Sequence, residues 1–308
     1  MIPSFIKHLT SKDAVYWFLY YIVNTSFLKR RLSDKAYLSL QYRCFIGKSI
    51  NWDNPTSFTE KLQWLKLYNR RPEHSAMVDK YEVKEYVAQT IGSEHIIPTY
   101  GVWDRFEDID FDSLPNQFVL KCTHDSGGLV ICKNKQTLDK KAVRRKIEKS
   151  LHRDYYLAGR EWPYKNVPKR VIAEKFISPS QNSVNADLPD YKFFCFNGKV
   201  KFFKVDFGRF VEHHANYYSS EGKLLNFGEK GLDPDPNYPI ELPINLGEMI
   251  SLAEKLSENE PFLRVDFYNV NGKIFFGELT FYPASGMGQF NPTEYDDLIG
   301  NLLSLPMF

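Results

Sequence analysis

Two carboxylates and a guanidinium alternate with apolar residues near the C-terminal end of the chain, and the chemistry is easiest to read there. Along 262–268, Leu263, Val265 and Phe267 are apolar, and Arg264, Asp266 and Tyr268 alternate with them. Along 273–281, Phe275, Leu279 and Phe281 are apolar, while Glu278 and Thr280 alternate. Strand side chains point to opposite faces in turn. Two such runs about Asn271-Gly272, a favoured turn dipeptide, predict a hairpin with Arg264, Asp266, Glu278 and Thr280 on one face. Both apolar sets are odd-numbered, so a shared core face needs paired residue numbers that sum to an even value. That predicts an odd loop with a glycine bulge, not a two-residue loop. Neighbouring carboxylates on a sheet repel each other. They are tolerated in water, beside a neutralising Arg264, or bridged by a hard cation such as magnesium, which takes oxygen ligands together with phosphate and water. A solvated hairpin face would carry the same residue types.

A second candidate lies at 118–133, where Lys121 closes an apolar run and Ser126-Gly127-Gly128 follows within seven residues. Glycine-rich backbone can approach phosphate and aim N–H groups at it, with Lys121 as an added point charge. A hairpin loop beside a surface lysine reads the same way, and the spacing is neither Walker A nor G-x-G-x-x-G. His124 in this loop could bond a substrate or cap the turn. His213-His214 does not read as a metal pair, because adjacent residues point apart on a strand and do not share a helix face. Cys44, Cys122, Cys132 and Cys195 lack C-x-x-C spacing and read as reduced thiols of a cytosolic protein.

These side chains need elements to hold them. Near the start, Val15, Phe18, Leu19 and Ile22 repeat at helical spacing, with Tyr16, Trp17, Tyr20 and Tyr21 beside them and Lys29-Arg30-Arg31 after them. This suits an interfacial helix with its basic residues on anionic lipid, or a helix packed on the main body. Ser57-Phe58-Thr59-Glu60 has the form of a capping box and opens a helix to Tyr68. Asp79 is a candidate N-cap for a helix to about Gln89. A short strand is expected at 96–103, strands at 118–122 and 129–133, a basic amphipathic helix over 138–151, and a strand at 171–176. A polar stretch, 178–189, precedes a hairpin over 190–207 about Asn197-Gly198. A helix over 246–256 leads to the last hairpin.

Composition bounds the answer. The 308 residues include 24 Phe, 19 Tyr and 5 Trp, within a 43% hydrophobic fraction, which excludes a disordered chain. The length suggests two domains or one elaborate one. No apolar run reaches the roughly 20 residues of a membrane span. Forty basic residues against thirty-eight acidic ones leave +2, without the overall basic excess of a nucleic-acid binder, so no nucleic-acid partner is expected. The apolar run 14–23 has no small-residue cleavage site after it, so no secretion signal is read. The expected location is cytoplasmic, with peripheral membrane contact through the N-terminal helix as the variant.

In this order the parts resemble the ATP-grasp superfamily, and within it the TupA-like branch, which is associated with teichuronopeptide, capsule and other surface polysaccharide biosynthesis. The resemblance runs from about Asn54 to Asn291. It is carried by Pro55-Thr56-Ser57-Phe58-Thr59-Glu60-Lys61-Leu62-Gln63-Trp64, Asp79-Lys80-Tyr81, and Phe118-Val119-Leu120-Lys121 with Ser126-Gly127-Gly128. Further segments are Arg160-Glu161-Trp162-Pro163-Tyr164, Ala173-Glu174-Lys175-Phe176-Ile177, Asp190-Tyr191-Lys192-Phe193 and the 264–283 hairpin. It implies an α+β, ATP-grasp fold with two lobes holding ATP between them. The implied organisation is a helical extension over 1–50, a preceding region over 51–115, a lid subdomain over 116–177 and a metal-binding subdomain over 178–308. By resemblance Lys121 contacts ATP phosphates and adenine, and Ser126, Gly127 and Gly128 close over the phosphates. Glu174 to Ile177 form the interlobe linker, where main-chain groups of Lys175 and Ile177 read the adenine. Lys192 and Lys80 add nucleotide contacts, Arg264 stands near the transferred phosphate, and Asp266 and Glu278 hold Mg2+. Many ATP-grasp enzymes carry Glu-x-Asn at the metal site. Here Glu278-Leu279-Thr280 puts a hydroxyl in place of the amide carbonyl, which suits one metal or a water-filled gap. Ser285, Gly286 and Gly288 follow the metal strand and are expected to border the acceptor.

The resemblance further implies a carboxylate–amine ligase working through an acyl phosphate, with ATP and magnesium. Its substrates would be a glycan or sugar-nucleotide carboxylate, specifically a uronic acid of a surface polysaccharide, and an amino acid or other amine. A glycan kinase is the alternative that keeps ATP. A glycosyltransferase or non-catalytic assembly partner is the alternative that does not.

Overall fold

The computed structural model describes residues 11–178, 188–208 and 212–307. The opening ten residues and most of the polar stretch 178–189 lie outside the described residues. Two antiparallel sheets organise the chain. The first contains β1 (Thr99–Trp103), β2 (Phe118–Cys122), β3 (Leu129–Cys132) and β4 (Val171–Lys175), in the order β1-β4-β2-β3. The second contains β5 (Asp190–Phe196), β6 (Lys199–Phe207) and β7 (His214–Ser219), then, after the two-residue β8 (Gly228–Glu229), β9 (Phe262–Val270) and β10 (Lys273–Thr280). Its order is β10-β9-β5-β6-β7, and β8 pairs with β11 (Phe290–Asn291).

Each sheet has its own core. In the smaller lobe, Phe118, Leu120, Val171 and Ala173 face Val143 and Ile147 of the helix Lys140–Leu151. These two residues, four apart, are the apolar stripe of an otherwise charged helix, and Asp139 caps it by accepting from the Ala142 N–H. In the larger lobe, the helix Leu246–Ser257 lays Met249, Leu252, Ala253 and Leu256 on the five-stranded sheet. The other face of that sheet is aromatic at one end: Phe194, Phe196, Phe202, Tyr217 and Phe262 pack with Phe58 of the helix Phe58–Tyr68. Its other end is ionic and forms the site. The capping box expected at Ser57 and Glu60 is present. Asp79 accepts from the Tyr81 and Glu82 N–H groups just ahead of the helix Val83–Ile91.

The smaller sheet reaches back beyond the expected subdomain start at 116, because β1 pairs with β4 along its length. Upstream, the helix Ser11–Thr25 sets Trp17 and Tyr20 against Phe45 and Tyr37 of the helix Asp34–Ile46. It is thus packed on the body by one face. Among the described residues no helix is long and apolar enough to cross a membrane.

Candidate active site

The site begins with a bulge. Asn271 and Gly272 have φ of +53° and +82°, so the β9–β10 loop is the two-residue kind and not the odd loop expected. Near the turn Phe276 pairs with Phe267. The register then shifts at Gly277, after which Glu278 pairs with Asp266, Leu279 with Val265 and Thr280 with Arg264. The extra residue required by parity therefore lies inside β10. One consequence corrects the sequence reading: Ile274 and Phe276 are buried, whereas Phe275 stands opposite Tyr268 and is only half-buried. Another is functional, because the bulge sets Glu278 beside Asp266.

A row of charge crosses the sheet, with Lys204, Lys192, Asp266 and Glu278 paired in turn on β6, β5, β9 and β10. Lys192 Nζ lies 2.5 Å from Asp190, 2.6 Å from Asp266 and 3.7 Å from Asp206. Burial alone would lower the Lys192 pKa, but these carboxylates outweigh it and hold the pKa above the ordinary lysine value. Arg264 grips Asp266 with two bonds of 2.7 Å, the fork geometry that makes guanidinium–carboxylate pairs strong. Arg264 also donates to Thr280 Oγ1 at 2.9 Å, and that hydroxyl donates to Glu278 at 3.2 Å. Asp266 is buried among cations, whereas Glu278 is half-buried with a hydroxyl partner. Asp266, Glu278 and Thr280 form an oxygen-only donor set. Among the described residues no group of three or more His, Cys, Asp or Glu could hold a metal. These residues suit a magnesium ion that completes its shell with phosphate and water.

The smaller lobe faces this row. Lys121 and Lys84 bracket the buried Glu174 carboxylate at 2.6 and 2.5 Å. Burial would raise the Glu174 pKa, but Lys121 and Lys84 overcome it and hold the carboxyl below its usual value. The 123–128 loop is closed by the Cys122 N–H bonding to the Gly128 carbonyl at 2.7 Å, and the Lys80 ammonium donates to the Asp125 carbonyl. Its two glycines serve different needs. Gly127 has φ of +118° in open space, while a Cβ on Gly128 would stand 2.4 Å from Ser150 Oγ. His124 is buried with its ring against the Ser150 carbonyl at 3.2 Å, so it supports the loop from behind.

Between the lobes lies a cleft open to solvent. Its walls bring together Lys80, Lys121, Ser126, Gly127, Gly128, Lys192, Arg264, Asp266, Glu278, Thr280 and Ser285. Glu174 lines an adjoining, largely apolar hollow with Val83, Ile97, Phe276 and Leu279. The Lys175 N–H is occupied by the Pro98 carbonyl at 2.9 Å, and neither Lys175 nor Ile177 is in these walls. Gly286 and Gly288 also lie outside the cleft. Gly286 packs on Gln63 and Leu62, and Gly288 lines a separate hollow beside Phe58.

The end of the cleft nearest Ser285 holds residues that had no assigned role in the sequence. Glu161, Tyr155, Tyr164 and Tyr282 line it with Ser285. Ala284, Ser285 and Gly286 have φ of +48°, +54° and +63°, a left-handed run that non-glycine residues adopt at a cost and that concentrates at functional sites. Lys66, fully buried on the helix Phe58–Tyr68, holds it by donating to Ser285 O and Gly159 O at 2.8 Å each and to Ser285 Oγ at 3.1 Å. Gln63 adds a bond of 2.7 Å to Gly286 O. Burial lowers the Lys66 pKa and raises that of Glu161. The available signal was two polar residues, Gln63 and Lys66, near the core stripe Phe58, Leu62 and Leu65 of an amphipathic helix.

The cleft can thus receive a polyphosphate between a glycine loop and a cation-lined sheet, with an oxygen-ligated metal at its edge. The TupA-like ATPgrasp family matches residues 60–304. No curated protein matches the chain. Among solved structures, a D-alanine–D-alanine ligase from Bacillus anthracis aligns with a TM-score of 0.42 and 16% identity, over 70% of this chain and 62% of that one. An L-amino acid ligase from Bacillus licheniformis aligns with a TM-score of 0.45 and 13% identity, over 85% of this chain and 57% of that one. The ATP-grasp ligase PsnB, in a complex with minimal precursor, Mg and ADP, aligns with a TM-score of 0.38 and 11% identity, over 72% and 57%. The chain spans less than two thirds of each of these proteins. The family match covers most of the sequence, and on it the chain belongs to the TupA-like ATP-grasp family.

Proposed function

We propose that the chain joins a carboxylate to an amine at the expense of ATP, acting on a uronic-acid carboxylate of a surface polysaccharide or its sugar-nucleotide precursor and on an amino acid or related amine. The substrate class rests on the resemblance to the TupA-like branch. The observation that carries the chemistry is the bulged hairpin, which sets Glu278 beside Asp266 opposite the 123–128 loop. Asp266, Glu278 and Thr280 would hold magnesium, which when bound neutralises phosphate charge and orients the phosphoryl group. Lys121, Lys80 and Lys192 bind the phosphates, and the Ser126-Gly127 backbone covers them, with the Gly128 N–H bonded to Asp125 Oδ1 to hold the loop. Arg264 stabilises charge on the transferred phosphoryl while held in place by Asp266 and Thr280. The substrate carboxylate attacks the γ-phosphate, giving an acyl phosphate and ADP. The amine then attacks the acyl carbon and phosphate leaves, with Glu161 taking the ammonium proton that must go before attack. Closure of the glycine loop excludes water from the acyl phosphate. Phosphoryl transfer asks mainly for such positioning and charge neutralisation.

The test is ADP release across a panel of amino acids with uronic-acid acceptors, ATP and magnesium, followed by mass spectrometry of the product. The expected product has gained the amine with loss of water. A product that has gained phosphate identifies a kinase, and no ADP above background with any carboxylate–amine pair counts against a ligase.

A further inference from the structure

The helix Ser11–Thr25 buries one face and leaves an apolar one in water. Trp17, Tyr20, Val23 and Asn24 turn toward the body: Trp17 and Tyr20 meet Phe45 and Tyr37, Asn24 accepts from the Tyr37 hydroxyl at 3.0 Å, and Val23 is 6% exposed. Side chains at i, i+3, i+4 and i+7 share the opposite stripe. There Val15, Phe18 and Leu19 are 56%, 58% and 44% exposed, with the half-buried Ile22 beside them. Phe27, just past the helix, is 73% exposed. A helix docked on a soluble body normally presents polar residues outward, and a contiguous apolar patch marks a contact surface. Positive charge adjoins it. Lys29, Arg30 and Arg31 form the next helical turn, and burial, with Arg160 and Arg153 adding to it, lowers the Lys29 pKa. Asp154, 3.8 Å from Arg30, and Asp34, paired with Arg70, are the acidic groups beside this cluster. Apolar side chains next to a basic group complement a lipid surface whose headgroups are anionic and whose interior is apolar.

We propose that this face docks the enzyme on an anionic lipid bilayer, with Val15, Phe18, Leu19 and Phe27 entering the headgroup region and Lys29, Arg30 and Arg31 on the lipid phosphates. The proposal does not depend on which bond the active site makes. It is tested by co-sedimentation of the full chain with vesicles of phosphatidylcholine alone, or with about one third phosphatidylglycerol. The wild type is expected on the anionic vesicles and not on the neutral ones, with binding weakened by salt. Phe18→Glu/Leu19→Glu should lower partitioning at least about tenfold, and Arg30→Glu/Arg31→Glu by about tenfold or more. Circular dichroism and ADP release without vesicles should remain unchanged in both variants. No sedimentation of the wild type overturns the proposal. So does binding that Phe18→Glu/Leu19→Glu leaves intact, which would reduce the contact to charge alone. Loss of a wild-type dimer in that variant, seen by analytical ultracentrifugation without vesicle binding, would assign the stripe to a second copy and also overturn it.

Discussion

Asp266 and Glu278 are neighbours with different environments, and the difference separates folding from chemistry. Asp266 is 3% exposed between Arg264 and Lys192. Its removal would take the forked partner from Arg264 and leave Lys192 with Asp190 and Asp206 alone, so Asp266→Ala should lower the melting temperature as well as stop turnover. Glu278 reaches the cleft and accepts a side-chain bond from Thr280. Glu278→Gln should therefore leave the melting temperature nearly unchanged while ADP release falls at least about 100-fold; near-normal release would remove Glu278 from the metal site. Glu161 offers a second separation. Burial raises its pKa, with Lys66 and Ser285 opposing the rise. A base must be ionised to accept a proton, so the amine-dependent rate should rise with pH through a pKa above the ordinary glutamate range. That acid limb should vanish in Glu161→Gln, along with about 10²–10⁴-fold of the rate, and ATP should stabilise the variant as it does the wild type. The Asp266–Glu278 face was legible in the sequence because strand alternation is local. Glu161 and Lys66 were not, because their roles depend on carbonyls and hydroxyls that meet them only in the folded chain, such as Ser285, 219 residues from Lys66.

Elements hold these residues through a few tight places. Gly128 is one: Gly128→Ala would press its Cβ against Ser150 Oγ at 2.4 Å and Cys122 Cβ at 2.8 Å. It should lower both the melting temperature and ADP release, as thermal unfolding and the ADP-release assay would show. The 73–78 helix is another. His74 is fully buried, accepts from Arg71 Nε at 2.9 Å, and packs against the Phe281 ring at 4.4 Å between centroids. Burial, with Arg71 adding to it, pushes its pKa down to about 3. The unfolded chain binds this proton near pH 6.5 and the folded chain does not, so the stability of the neutral form is full above 6.5 and is lost as pH falls from there toward 3. At pH 5 the loss from His74 should be about 2 kcal/mol, read as a lower urea midpoint that is restored in part by His74→Gln. The hairpin shows how far pattern reading reaches at this scale. Parity demanded an extra residue between Val270 and Leu279, and Gly277 supplies it within the strand. Sequence could count the residue but could not locate it, because a two-residue Asn-Gly turn and a bulge together give the same final register as an odd loop.

Across the whole molecule, two lobes with separate cores face each other over a charged cleft. Many of the buried aromatic residues lie in the core of the larger lobe, and Phe194, Phe196, Phe202 and Phe262 among them form one end of the sheet whose other end carries the ionic row. The α+β organisation was legible because hairpin dipeptides and capping residues punctuate the chain. The contribution of β1 to the smaller sheet was not, since strand pairing between 99–103 and 171–175 leaves no local mark. A nucleotide bound between the lobes stabilises the folded state by mass action. Magnesium ATP at about 100 times its dissociation constant should therefore add about 2.7 kcal/mol of stability, seen as a rise in melting temperature. The most direct measurement of the mechanism follows one oxygen atom. With an acceptor whose carboxylate carries oxygen-18, transfer through an acyl phosphate delivers one labelled oxygen to each released phosphate, and this is the expected result under magnesium ATP and the amine. Released phosphate without label, with the carboxylate oxygens retained in the product, would contradict carboxylate activation.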